Sequence, residues 1–239
     1  MEKLNIDEVA KHFGVSRVAV EGLIESGALP AVRSDGEWHI EKEMLEDWVR
    51  AEAVKLRPEE FAAIEVIQER KSLCVSSLLQ NKNIIVDLFA TTKSEVIQKL
   101  VDRMVSSYRI AGKKALLDAV RKREMLCSTA VLKGVAFPHP RRVPKQRFKA
   151  PRIVVGISGG GIDFEAEDGD LTHVFVLFCA PRDDLHLKML AKFGRLLGDY
   201  RLVLRIRRAE TPEEAIRIFR EAETEDAEAR NLKLVDKFS

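Results

Sequence analysis

Histidine is the side chain here best suited to nucleophilic or proton chemistry, and only five occur in the 239 residues. One of them, His139, sits in Gly134-Val135-Ala136-Phe137-Pro138-His139-Pro140-Arg141-Arg142, where a strand-like run ends in two prolines and two arginines. Proline fixes its own φ and pushes the residue before it toward extended backbone. The imidazole is therefore expected at a strand end, rigidly presented beside cations, a setting that favours an incoming anion such as a phosphoryl group. A solvated loop histidine is the competing reading. His186, in Pro181-Arg182-Asp183-Asp184-Leu185-His186-Leu187, falls in the first turn of a predicted helix, where unspent N–H groups suit an anion. Asp183 and Asp184 read as caps that compete for those groups, so a satisfied helix-start histidine is the simpler reading. His12 and His39 read as structural or solvated, and His173 as opening a buried strand with a local hydrogen bond. Cys74, Cys127 and Cys179 are far apart, odd in number and set among apolar neighbours, so they predict small buried side chains rather than disulfides or metal ligands.

The elements that must position these residues fall into two groups. Residues 1–50 read as a self-contained unit: a helix from Ile6 to about Phe13-Gly14, a second from Arg17 to Ser26 capped by Ser16 and stopped at Gly27, a hairpin turning at Ser34-Asp35-Gly36-Glu37, and a third helix from Glu41 to about Arg50. Residues 51–71 predict a charged connecting helix, with dimerisation through it left open. From residue 72 to about 225 helices alternate with strands. Amphipathic helices begin at Ser94-Glu95 and Gly112, strand runs cover Val135–Phe137, Ile153–Ile157 and Val174–Phe178, and further helices start at Asp183 and at Thr211. The two continuous apolar runs predict central strands covered on both faces of an α/β domain. Residues 226–239 read as a charged tail that frays.

Composition, at 46% hydrophobic and 33% charged, is that of a globular protein. No apolar run approaches the roughly 18 residues of a membrane span, and the N-terminus lacks a signal-peptide pattern, so a cytoplasmic location is expected. Residues 1–50 carry six Lys/Arg against eleven Asp/Glu, a net of −5, so the overall charge of +2 is supplied by the remainder.

Three ordered blocks between about Ile84 and Ala222 carry a resemblance. They are Lys122-Arg123-Glu124-Met125-Leu126-Cys127-Ser128-Thr129 followed by Gly134 to His139; Gly161-Ile162-Asp163-Phe164 with Asp168-Gly169; and Val174 to Pro181 with His186-Leu187 and Leu190-Ala191. Together they resemble the EIIA domain, fructose/mannitol and nitrogen-regulatory type, of the bacterial phosphoenolpyruvate-dependent phosphotransferase system. The resemblance implies a mixed-sheet α/β sandwich in which His139 accepts a phosphoryl group from an HPr-type phosphocarrier. It further implies that His186 donates a hydrogen bond to the bound group and that Arg123 neutralises its oxygens. Ser128 and Thr129 would shape the pocket and orient an imidazole tautomer. No metal or other cofactor is implied, because positioning and charge stabilisation supply most of this catalysis.

The N-terminal unit resembles the excisionase-like and MerR-like winged helix-turn-helix domains, through Val9 to Ser16, Ile24 to Ala31, Trp38-His39-Ile40 and Leu45-Glu46-Asp47-Trp48. That resemblance makes Arg17, Arg33 and His39 the candidate DNA contacts, within a unit whose net charge is negative. No cysteine-bearing EIIB or membrane-spanning EIIC module accompanies these blocks, from which a regulator with output through residues 1–50 is expected. Two alternatives stay open. One is a DNA-binding or adaptor protein whose EIIA-like domain no longer carries phosphate; the other is a stand-alone transport EIIA feeding a separate EIIB.

Overall fold

The computed structural model describes residues 3–13, 17–25, 27, 29–34, 36–42, 44–45, 74–140 and 148–237. The chain divides into two compact units, residues 1–73 with 186–195, and residues 74–185 with 196–239.

In the first unit, strand β1 (Lys3–Asn5) runs directly into helix α1 (Ile6–Phe13). Asn5 makes that junction: its Oδ1 accepts from Glu8 N at 2.8 Å while Glu8 Oε2 accepts from Asn5 N at 2.9 Å, so two otherwise unpaired donors are satisfied reciprocally. Helix α2 (Arg17–Glu25) is followed by Gly27 at φ +74°, a conformation glycine adopts without steric cost. Strands β2 (Val32–Ser34) and β3 (Glu37–Glu41) form the expected hairpin. Strand β1, absent from the sequence reading, pairs antiparallel with β3 to complete a sheet of order β1-β3-β2. Ile6, Val9, Val20, Ile24, Leu29, Ile40 and Leu45 form its core. Most of the predicted third helix, the whole connecting helix over 51–71 and both Ser16 and Ser26 lie outside the described residues.

The second unit opens with the short helix α3 (Val75–Leu78) and strand β4 (Ile84–Ile85). Helices α4 (Lys93–Tyr108) and α5 (Lys113–Glu124) follow, then β5 (Val135–Ala136), β6 (Arg152–Ile162) and β7 (Thr172–Cys179). Sheet order is β4-β6-β7-β5, with β6 and β7 antiparallel and the outer pairs parallel, a mixed sheet. Alternate residues of the central strands point to opposite faces. Val154, Phe175 and Leu177 meet Val96, Leu100, Val101 and Met104 of α4 and Leu116 and Val120 of α5. The other face is covered by helix α7 (Tyr200–Arg207), whose Leu202, Val203 and Ile206 are buried. Helix α8 (Pro212–Lys237) packs on α3 and α7.

Several expectations need correction. Helix α4 is capped by Thr92, whose hydroxyl accepts from Glu95 N, so it begins before Ser94. Helix α7 and strand β4 went unpredicted. Residues 226–237 continue α8 as helix rather than fraying. Cys74 and Cys127 are exposed, and among the three only Cys179 is buried: Cys74 stands at the N-cap of α3, and Cys127 lies in the turn after α5, where Met125 and Leu126 are exposed as well.

Candidate functional site

The end of β5 is held on both sides by backbone hydrogen bonds. Gly134, at φ +73°, turns its carbonyl to accept from both His173 N and Val174 N on β7. Phe137 N donates to Thr129 O at 3.0 Å, which ties the strand to the loop after α5. Phe178 N donates to Pro138 O at 3.4 Å. The chain thus delivers His139 to a fixed place, where it is only 2% exposed. Its ring stacks on Phe178 with centroids 5.3 Å apart and planes 25° apart.

His139 Nδ1 lies 2.7 Å from Phe137 O. A carbonyl oxygen can only accept, so Nδ1 carries the proton, and in the neutral ring Nε2 carries the lone pair. The backbone therefore selects Nε2 as the nucleophilic nitrogen.

Arg123 occupies the last turn of α5 and is 5% exposed. Its Nη1 donates to Cys127 O at 3.1 Å and lies 3.5 Å from Cys127 Sγ. Its Nε is buried with no hydrogen-bond partner, and no carboxylate among the described residues pairs with the guanidinium. A buried cation with an unspent donor is costly unless an anion arrives to meet it.

The two hydroxyls have other duties. Ser128 Oγ donates to Phe164 O at 2.7 Å and accepts from Ala130 N at 3.2 Å. Thr129 donates through N and Oγ1 to the two oxygens of Glu124, at 2.8 and 2.6 Å. Lys93 Nζ neutralises that buried carboxylate at 3.1 Å and also reaches Glu165 at 3.0 Å. Neither hydroxyl sets the imidazole tautomer, contrary to expectation; the Phe137 carbonyl does so from two residues away. Ser128 and Thr129 instead brace the loop between Arg123 and the strand. Glu124, Lys93 and Phe178 were not singled out from the sequence. Glu124, adjacent to Arg123 in the first block, and Phe178, within the third, carried some signal; Lys93 carried none.

Arg123, Ser128, Thr129 and His139 thus belong to one unit and one loop-and-strand system. His186 lies in helix α6 (Asp183–Leu197), in the segment 186–195 that groups with the other unit. His173 makes its local bond, with Nδ1 3.0 Å from Ser158 O. Among the described residues no three His, Cys, Asp or Glu side chains converge as a metal-ligand set, and no helix is long and apolar enough to cross a membrane.

In the N-terminal unit, Arg17 is held by Asp7 and Glu21, each at 2.8 Å. The hydrogen bond that Arg17 donates to Glu21 and the charge of Asp7 raise its pKa further. Arg33, on β2, donates Nε to Gly36 O at 3.4 Å and sits over the Trp38 ring at 5.6 Å, with no carboxylate partner among the described residues. His39 lies on central strand β3, half-buried, opposite Asn5 and Val32.

Comparison with known proteins places two families on the chain. The family described as "Phosphoenolpyruvate-dependent sugar phosphotransferase system, EIIA 2" matches residues 77–222, and a helix-turn-helix domain family matches residues 4–53. The mannitol-specific phosphotransferase enzyme IIA component of Staphylococcus aureus is 28% identical over 149 residues, which covers 62% of this chain and 99% of that protein. The fructose-specific EIIABC component of Bacillus subtilis is 26% identical over 125 residues, which covers 52% of this chain and 19% of that relative's length. The nitrogen regulatory protein IIA-Ntr of Neisseria meningitidis shares the fold at a TM-score of 0.55 and 19% identity, covering 61% of this chain and 98% of that one.

Proposed function

Because the chain belongs to the phosphotransferase system EIIA 2 family through residues 77–222, we propose that it is a regulatory phosphoryl carrier whose acceptor is Nε2 of His139. The observation that carries this reading is the 2.7 Å bond from His139 Nδ1 to Phe137 O, which reserves Nε2 for attack. The donor is an HPr-type phosphocarrier bearing a phosphohistidine. The lone pair of Nε2 attacks phosphorus, the donor's P–N bond breaks, and the departing nitrogen keeps the electron pair. The family resemblance assigns His186 as a hydrogen-bond donor to the transferred group. Arg123 supplies the positive charge, a role supported by its buried and unmatched Nε. Fixed charges aimed at a phosphoryl group are worth most where water is excluded.

Output runs through the N-terminal domain. The net charge of −5 over residues 1–50 and the double pairing of Arg17 favour a protein target over DNA, since phosphate neutralisation supplies most DNA affinity. DNA contact, where it occurs, falls to Arg33. A separate EIIB remains the alternative destination for the phosphoryl group.

The test is transfer from phosphorylated HPr, or its nitrogen-branch counterpart, read by intact mass. One acid-labile phosphoryl group is expected on the wild type, none on His139→Ala and a slower gain on His186→Ala. Failure with both donors, or phosphorylation that survives His139→Ala, would overturn the assignment.

A further inference from the structure

A second concentration of positive charge lies around the C-terminal end of α4. Lys82, Arg103, Arg109 and Arg152 line one cleft of about 620 Å³, together with Ser106 and Tyr108. That volume is within the usual range for small-molecule sites. The cations come from separate pieces of chain: the turn Asn81–Asn83, helix α4, its C-cap and the start of β6. None of the four is paired with a carboxylate among the described residues.

The cleft is built rather than loose. Tyr108 donates Oη to Ile153 O at 3.0 Å, and Arg152 and Lys82 stack over its ring at 4.8 and 5.7 Å. Ser107 Oγ and Arg103 Nη1 both donate to Lys82 O and so fix the turn that carries Lys82. Arg109 holds a left-handed conformation, φ 52°, that is uncommon for a side-chain-bearing residue. Four like charges lining one concavity repel one another, and a compact polyanion is the ligand that relieves this.

We propose that this cleft binds an oligophosphate chain of three or more negative charges, such as a nucleoside triphosphate carries. The phosphates would lie among Lys82, Arg103, Arg109 and Arg152, with the Ser106 hydroxyl as a further donor. A concave site with convergent guanidinium groups suits a compact anion better than an extended acidic peptide, which would need a longer basic track.

The experiment is calorimetric titration of the full-length protein with inorganic tripolyphosphate, ATP and orthophosphate at low salt. Tripolyphosphate is expected to bind one per chain, to outcompete orthophosphate and to weaken as salt rises. ATP binding equal to tripolyphosphate would identify the phosphate chain as the whole determinant, and tighter ATP binding would add the nucleoside. The double variant Lys82→Gln/Arg109→Asn should weaken binding about tenfold or more. Both side chains are exposed, and asparagine tolerates the left-handed conformation, so the fold is preserved. His139→Ala and Arg123→Ala should bind tripolyphosphate as the wild type does. No binding by the wild type, undiminished binding by the double variant, or loss confined to Arg123→Ala would each overturn the proposal.

Discussion

Replacing Arg123 with methionine should make the protein more stable and a poorer phosphoryl acceptor. The guanidinium is 5% exposed, its Nε has no partner, and its contacts among the described residues are to Cys127. An unsatisfied buried donor costs about 1–3 kcal/mol, and the bond to Cys127 O returns about 1 kcal/mol. Exchanging a buried charge for an apolar side chain of similar length is commonly neutral or stabilising by about 1–4 kcal/mol. The balance is a gain of about 1–2 kcal/mol, or about 3–6 °C in Tm for a domain of this size. Loss of a preorganised charge at the transferring group should slow phosphorylation by about 10²-fold or more. Thermal melts and single-turnover transfer, each with and without orthophosphate, make the assay. Phosphate should raise the wild-type Tm more than that of Arg123→Met. Lys122→Met, one residue earlier and exposed, is the control and should stay within about 0.5 kcal/mol. A variant destabilised by about 2 kcal/mol with unimpaired transfer would show that the guanidinium is a structural brace, and the reasoning would fail.

Glu223 gives a pH-dependent prediction. Burial opposes its charge, but hydrogen bonds from Ser76, Cys74 and Val75 outweigh that and hold its pKa below the usual value. Its contribution is therefore complete above the unfolded carboxylate pKa and is lost as pH falls through the lower folded value. Glu223→Gln should cost about 1–3 kcal/mol at neutral pH and flatten the acid limb of a Tm-against-pH curve. Gly161→Ala should destabilise by about 2 kcal/mol or more in denaturant titration, since φ is +76° and the new Cβ would fall 2.5 Å from His173 Cε1. Gly159→Ala meets open space at ordinary φ and should stay within about 1 kcal/mol. A thiol reagent should modify Cys74 and Cys127 quickly and Cys179 only on unfolding, because burial pushes the Cys179 thiol well up. Three fast thiols would contradict that packing.

The strongest local signals carried most of the architecture. Helices α4 and α5 are amphipathic over several turns, and β6 and β7 are unbroken apolar runs, so their existence was legible and only their ends moved. Strands β1 and β4 were missed because three or two residues leave no period to read, and they exist only through pairing with β3 and β6. Helix α7 was missed because the dense charge of Tyr200–Arg207 hides Leu202, Val203 and Ile206, and its burial comes from the sheet it covers. The charged run after residue 225 looked unable to stay ordered, yet it continues the long helix α8 already established from Pro212.

The candidate site divides in the same way. Ordered motif blocks marked Arg123, Ser128, Thr129 and His139, because residue type and spacing are properties of the chain itself. Spacing could not say which nitrogen of His139 is nucleophilic, since the deciding acceptor is a backbone carbonyl, and every residue has one. Nor could it show that Thr129 answers to Glu124 and Lys93, or that the guanidinium of Arg123 is buried without a counter-ion among the described residues. The basic cleft was equally invisible: Lys82, Arg103, Arg109 and Arg152 are scattered over 71 positions of sequence and ordinary in type. The amino-acid sequence alone determined which groups are present, the pattern of the main helices and central strands, and the family resemblance. Only the tertiary structure decided which charges meet, which are left unmatched and which ring nitrogen is reserved, because electrostatic cost depends on burial and distance, and both arise when the chain packs.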